Sequence, residues 1–348
     1  MGAFVGAVTS PFLRRRKGRI GKLLFVEKTA PPFNSNGYIH ASANEIGNII
    51  LTKGGAGSNL DQYHRSTDQV ESWITEDASP DPSVRLYKHE PVPLTGNFLI
   101  GAPYLGGNSP LLWETNLLGA DIQPRFTQVN TNQLAGACWT IDGAWFCAYG
   151  NDNITAGTAR VMVGQLAAGP FTQLPQSVTP LSGGFYIGIA IKDDDSLTEA
   201  LFLLAGPDHF KQLRLRHGIW TSKDITNPAA SRIYGICQYQ NTIIACGANS
   251  RILRSTDYGE TFSIIANPTA GSNFVAWRNY GKFFVGSDGA IQLFESKYGI
   301  TWVASPNQPE ANQDINAACN ILQSSFIFCA NLPGLTSKAY RFRQPMEI

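Results

Sequence analysis

The chain has 348 residues, 43% hydrophobic and only 15% charged against a usual ~25%, with a formal net charge of +1. This composition excludes an intrinsically disordered chain, and no run approaches the ~18 consecutive apolar residues of a membrane-spanning helix. Neither a glycine every third residue nor a sustained heptad occurs, so collagen and coiled coil are excluded too.

The charge is unevenly placed. Residues 1–22 hold Arg14, Arg15, Arg16, Lys17, Arg19 and Lys22 and no acid, a local charge of +6. The remainder holds 21 basic and 26 acidic side chains, a net −5. The apolar stretch Ala3–Val8 precedes the arginines, the reverse of a secretory signal, and Gly6 stands where an acylation motif needs Ser or Thr. Gly, Ser and Pro in residues 1–21 favour an extended arm that orders on a partner. With no aromatic interleaving beyond Phe4 and Phe12, the expected partner is a protein in preference to nucleic acid, and no membrane insertion is expected.

After the arm, short apolar runs bounded by Gly, Asn, Asp and Pro predict many short strands. Similar strands recur at Asn48–Lys53, Asn97–Ala102, Ala144–Tyr149, Phe185–Ile191, Ile243–Gly247, Lys282–Ser287 and Ser325–Ala330. Their average spacing of about 46 residues is that of propeller blades with four strands each. Cys138–Ala148, Cys237–Gly247 and Ala276–Gly286 share one layout, two small apolar residues nine positions apart around a turn. Asp142-Gly143 supplies a favoured hairpin turn.

A second repeat follows. Ser255-Thr-Asp257-Tyr-Gly259-Glu-Thr261-Phe262 is complete; Ser66-Thr-Asp68-Gln-Val-Glu-Ser72-Trp73 and Glu295-Ser-Lys-Tyr-Gly299-Ile-Thr301-Trp302 are partial copies. Phe126 and Phe171 begin worn ones. Ser255–Phe262 resembles the Asp-box of bacterial neuraminidases, Ser/Thr-x-Asp-x-Gly-x-Thr-Trp/Phe. The resemblance implies an all-β propeller in which each box is a hairpin between the third and fourth strands of a blade. It gives Asp68 and Asp257 a structural role, satisfying turn backbone groups as Asp does in turns generally. Val70 departs from the pattern at the Gly position, and Lys297 at the Asp position.

The last blade, Phe326–Ala330 and Ser337–Arg343, lacks a fourth strand, and Leu23–Pro31 supplies one. Pairing the two removes unpaired edges. The expected organisation is an arm over 1–21 and a seven-bladed propeller over 22–348, with 22–32 completing the last blade.

Six cysteines fall as Cys138/Cys147, Cys237/Cys246 and Cys319/Cys329. The shared layout asks only for small apolar residues, so core thiols are the favoured reading and cross-strand disulfides the alternative. The spacing of Cys and His matches no zinc site. Asp193-Asp194-Asp195 lacks an EF-hand's Gly and Glu and reads as a solvated loop. No cofactor is expected.

A sialidase would need a Tyr–Glu pair and three clustered arginines; the family's early Phe/Tyr-Arg-Ile-Pro segment is absent. The expected function is therefore non-enzymatic. It is a structural or recognition propeller, similar in style to bacteriophage tail and other virion proteins, docking through the arm and presenting loops to a neighbour or host glycan. The alternatives are a sialidase-like glycan-processing enzyme and an assembly factor resembling photosystem-associated Asp-box propellers.

Overall fold

The computed structural model describes residues 24–31, 38–54, 62–77, 89–91, 95–101, 110–121, 123–127, 132–140, 142–152, 158–165, 172–174, 185, 187–206, 209–266, 271, 273–287, 293–306, 308–309, 314–322, 324–330 and 337–343. Residues 1–21, the expected arm, lie outside them.

The described strands form seven four-stranded antiparallel sheets. In chain order, sheet I is Tyr38–Ala43, Ile49–Gly54, Gln62–Ser66 and Ile74–Asp77. Sheet II is His89–Pro91, Phe98–Gly101, Pro110–Glu114 and Gln123–Thr127. Sheet III is Asn132–Trp139, Trp145–Asp152, Thr158–Gln165 and Thr172–Gln173. Sheet IV is Ile187–Ala190, Thr198–Ala205, His209–Arg216 and Ile219–Thr226. Sheet V is Ile233–Tyr239, Thr242–Gly247, Ile252–Ser255 and Ser263–Ala266. Sheet VI is Asn273–Asn279, Lys282–Ser287, Leu293–Ser296 and Val303–Ala304. Sheet VII takes Asp314–Ile321, Ser324–Ala330 and Lys338–Arg343 from the end of the chain and Leu24–Lys28 from its start. The register there runs from Leu24 opposite Arg343 to Lys28 opposite Ala339.

The first strand of each sheet lies against the first strand of the next, and Asp314–Ile321 lies against Tyr38–Ala43, which closes a ring. The second strands of sheets IV to VII are buried on both faces, so they read as continuous apolar runs instead of alternating ones. Leu201, Leu203 and Ala205 enter the core between sheets IV and V, while Phe202 and Leu204 enter the core between III and IV. Likewise Phe326 and Phe328 pack toward sheet I, and Ile327 and Cys329 toward sheet VI. Side-chain bonds between neighbouring sheets keep the sequence period: Gln238 to Lys192, Gln212 to Tyr258, Arg214 to Glu260 and Asn279 to Ser325 each span 46 residues.

The inner strands approach closely. A Cβ on Gly235 of sheet V would lie 2.4 Å from the backbone nitrogen of Ala276 in sheet VI. Glycine is what lets the two backbones meet there.

Phe185–Ile191 is out of phase with the other repeats. The expected strands elsewhere fall on the second strand of their sheets, but this one is the first strand of sheet IV, whose second strand is Thr198–Ala205. Thr198–Ala205, followed by Gly206, carries the same small-residue ending as Ile243–Gly247, and the apolar run Phe185–Ile191 just before it imitates the pattern.

His64, on the third strand of sheet I, is buried with Nδ1 2.9 Å from Thr75 Oγ1. Burial pushes its pKa down to about 4. A neutral buried imidazole gives stability that is complete above the unfolded value of ~6.5 and falls as pH drops toward 4. His64→Gln is expected to flatten this loss, which at its steepest is about 1.4 kcal/mol per pH unit. Denaturant midpoints measured from pH 7 to 4 check it.

Candidate functional site: the turn end of the ring

In every sheet the connections from first to second and from third to fourth strand fall at one end, the turn end. The second-to-third connections and the links between sheets fall at the other. Leu24 pairs with Arg343 at the turn end, so residues 1–23 join the ring there.

The turn chemistry is set by a Ser and an Asp. In sheet V, Ser255 Oγ donates to Asp257 Oδ1 at 2.6 Å and accepts from Gly259 N at 2.9 Å. Asp257 Oδ1 accepts from Thr261 N at 3.0 Å, and Oδ2 from Thr261 Oγ1 at 2.6 Å. In sheet I, Ser66, Asp68, Val70 and Ser72 make the same set of bonds. Burial alone would raise both aspartates, but these donors outweigh it and hold Asp68 and Asp257 below the usual carboxylate range. Both carboxylates are thus committed to their own turns. Gly259 sits at φ +84°, which glycine adopts freely. Val70 holds φ 78° at the matching place. A β-branched residue resists that conformation, and full burial of its side chain against sheet VII offsets the cost.

The aromatic that ends each copy staples its sheet to the preceding one. Phe262 stacks on Phe210 of sheet IV at 4.3 Å, and Trp73 packs on Phe326 of sheet VII at 5.7 Å while its Nε1 donates to Thr29 O. Trp302 packs into the core between sheets V and VI. The third copy is shifted from its sequence alignment. Ser296 faces Phe283 as Ser255 faces Ile243, so Ser296, not Glu295, takes the serine place in a turn one residue shorter. Gly299 keeps the left-handed conformation, with Thr301 exposed beside it. Glu295 is buried and accepts from Lys282 Nζ at 2.5 Å. Phe171 lies outside the described residues, and Phe126 falls in the fourth strand of sheet II.

Of Asp193-Asp194-Asp195, the middle residue is exposed as a solvated loop implies, while its two neighbours are anchored. Asp193 is 8% exposed and lies 3.5 Å from Arg214, which also reaches Glu260 of sheet V at 3.4 Å. Asp195 pairs with Arg216, and Lys223 with Glu260. Charge order in sequence did not reveal this, because the partners are supplied by the adjacent strand and sheet.

All six cysteines are thiols. Cys138 stands directly opposite Cys147 in sheet III, as the layout implies. The other two pairs are not cross-strand neighbours. Cys237 faces Ile244 and Cys246 faces Gly235, because the turn falls at Gln240-Asn241, one residue early for the pair. Cys319 faces Phe326, while Cys329 faces Ile315 beyond a bulge. Cys319 packs toward sheet I and Cys329 toward sheet VI, so they lie on opposite faces of sheet VII. Burial pushes Cys237 up to about 12, so it stays a protonated core thiol.

Among the described residues the turn end carries ten acidic and two basic side chains between the strand ends, and the far-end connections carry Arg232 and Arg251. Large apolar side chains also stand exposed in these turns, among them Ile46, Leu117, Leu197, Tyr298, Ile300 and Leu322. Among the described residues no group of His, Cys, Asp and Glu could hold a metal ion, and no helix is long and apolar enough to cross a membrane.

The ring of antiparallel sheets about an axis is an all-β propeller. No family model and no curated protein matches the chain. Among solved structures it is similar to one described as "YCF48 bound to D1 peptide", at 10% identity and a TM-score of 0.62, over 93% of this chain and 97% of that one. At that identity the likeness concerns the fold.

Proposed function

We propose that this chain is a non-enzymatic recognition propeller, seven-bladed and of the Asp-box type, which joins a larger protein assembly through the basic arm at residues 1–21. The observation that carries the reading is the placement of closure. Leu24–Lys28 completes the last sheet with Leu24 at the turn end, so the arm before it is tied to that end. Arg14, Arg15, Arg16, Lys17 and Arg19 are then available for an acidic partner surface. The commitment of Asp68 and Asp257 to turn backbone supports a scaffold over a glycosidase, which needs a carboxylate or Tyr–Glu pair aimed at substrate. The low charged fraction and the Asn-, Thr- and Gly-rich connections favour a virion component, such as a phage tail protein, as the setting, with a neighbouring subunit or host glycan at the loops.

A second reading, an assembly factor that holds a peptide of its client, is favoured by the likeness to a propeller solved with a bound peptide. Expression of the full chain and of a form lacking residues 1–21 in the native host separates these ideas. The shortened form is expected to melt like the full chain and to be missing from the high-mass complex. Its retention in that complex, or its failure to fold, overturns the docking role. Release of 4-methylumbelliferone from a sialoside would overturn the non-enzymatic one.

A further inference from the structure

We propose that the turn end of the ring is the docking surface for the chain's own segment 1–22, which lies across it in the free protein. This goes beyond a docking role for the arm: it concerns a resting contact and holds whether or not an outside partner exists.

Three independent observations converge. The first is charge. The turns at this end carry ten acidic and two basic side chains; Glu71, Asp193, Asp195 and Glu260 pair with Lys28, Arg214, Arg216 and Lys223, which leaves six acids for residues 1–22 with their +6. The acidic residues run along five consecutive sheets, with Glu45 in sheet I, Asp121 in II, Asp142 in III, Asp194 in IV and Asp257 in V, while the turns of VI and VII hold none. A distributed field of one sign suits an extended segment of the other sign better than it suits a compact ligand.

The second is apolar surface. Ile46 is 59% exposed, Leu197 55%, Leu322 52% and Tyr298 63%, all on turns of this same end. Apolar side chains exposed on these turns offer the segment contacts other than charge. The segment has matching apolar residues in Phe4, Val5, Val8 and Phe12, separate from its arginines.

The third is attachment. Residue 23 joins Leu24 at the turn end, so the segment starts on the rim of the surface it would cover. Twenty-two extended residues reach up to ~75 Å, several times the ~10 Å between packed sheets. Attachment also gives the segment an effective concentration in the millimolar range, so weak contacts suffice for occupancy and a second copy competes poorly.

The contact is electrostatic at exposed sites and therefore salt-sensitive, with a screening length falling from ~30 Å at 0.01 M to ~8 Å at 0.15 M. An outside partner that takes the arm would uncover the acidic, apolar end at the same moment, coupling the two surfaces.

Amide hydrogen exchange on the full chain tests this directly. Amides in the turns at 44–48, 115–121 and 191–197 are expected to exchange roughly tenfold faster in the full chain carrying Arg14→Gln, Arg15→Gln, Arg16→Gln, Lys17→Gln and Arg19→Gln, and 0.5 M salt should speed exchange in the unaltered chain but not in this variant. Glu45→Lys with Asp194→Lys should produce the same loss from the other side without touching the arm. Equal exchange in all forms overturns the proposal. Protection that grows with protein concentration, with a dimer in sedimentation, overturns it in favour of a second copy on this surface.

Discussion

Deleting residues 1–31 is expected to break the ring, whereas deleting 1–22 leaves it folded. The larger deletion removes Leu24–Lys28, and with it a five-residue ladder on Lys338–Arg343. At about 1 kcal/mol per hydrogen bond, the direct loss is on the order of 5 kcal/mol. The seam loses more than a ladder. The chain passes from this strand into sheet I, so the strand is the covalent tie between the last sheet and the first. The Lys28–Glu71 ion pair and the bond from Trp73 Nε1 to Thr29 O cross the same seam. Without them sheets VII and I hold only by packing around Phe326, Phe328 and Ile49. A drop in thermal midpoint of about 10 °C and aggregation through the opened edge are the expected outcome. Calorimetry and light scattering on the two deletions decide it: equal melting of both would mean that the ring does not depend on its first strand.

Gly235→Ala is expected to be the most damaging single methyl in the inner ring. The added Cβ would meet Ala276 N at 2.4 Å and the Val275 carbonyl carbon at 2.7 Å, both backbone atoms of the next sheet. Backbone cannot rotate aside as a side chain can, so sheets V and VI must part, and the core of Ile244, Cys246, Ala276 and Val285 opens with them. Overpacking of this kind costs about 3 kcal/mol, or roughly 5 °C of midpoint. The exposed Gly281, with nothing within 4 Å of its Cβ position, is an internal comparison for contact, although its φ of +72° carries its own strain. Thermal melts of Gly235→Ala and Gly281→Ala should therefore differ, with the first lower.

Local signals in the chain were strong where one short segment determines its own geometry. Ser255–Phe262 specifies its turn because hydroxyl and carboxylate satisfy amides within seven residues, and Ser66–Trp73 does the same despite Val70. Leu23–Pro31 was readable as a missing strand because its apolar run ends at a proline, like other fourth strands. The reading failed where geometry depends on a partner. Cys237 and Cys246 look paired until the turn at Gln240-Asn241 offsets them, and the pairing of Ile321 with Ser324 likewise puts Cys319 opposite Phe326, three residues short of Cys329.

The sequence by itself determined an all-β chain of recurring short strands, its Ser–Asp turns and a basic leading segment, because hydrophobic period and turn chemistry act over a few residues. Only the tertiary structure decided which end of the ring gathers the acidic turns, how Arg214 draws Asp193 and Glu260 together across two sheets, and which face of a sheet each cysteine enters. Those outcomes depend on register and on neighbours about 46 residues away, and a single strand carries no information about the sheet that will pack against it.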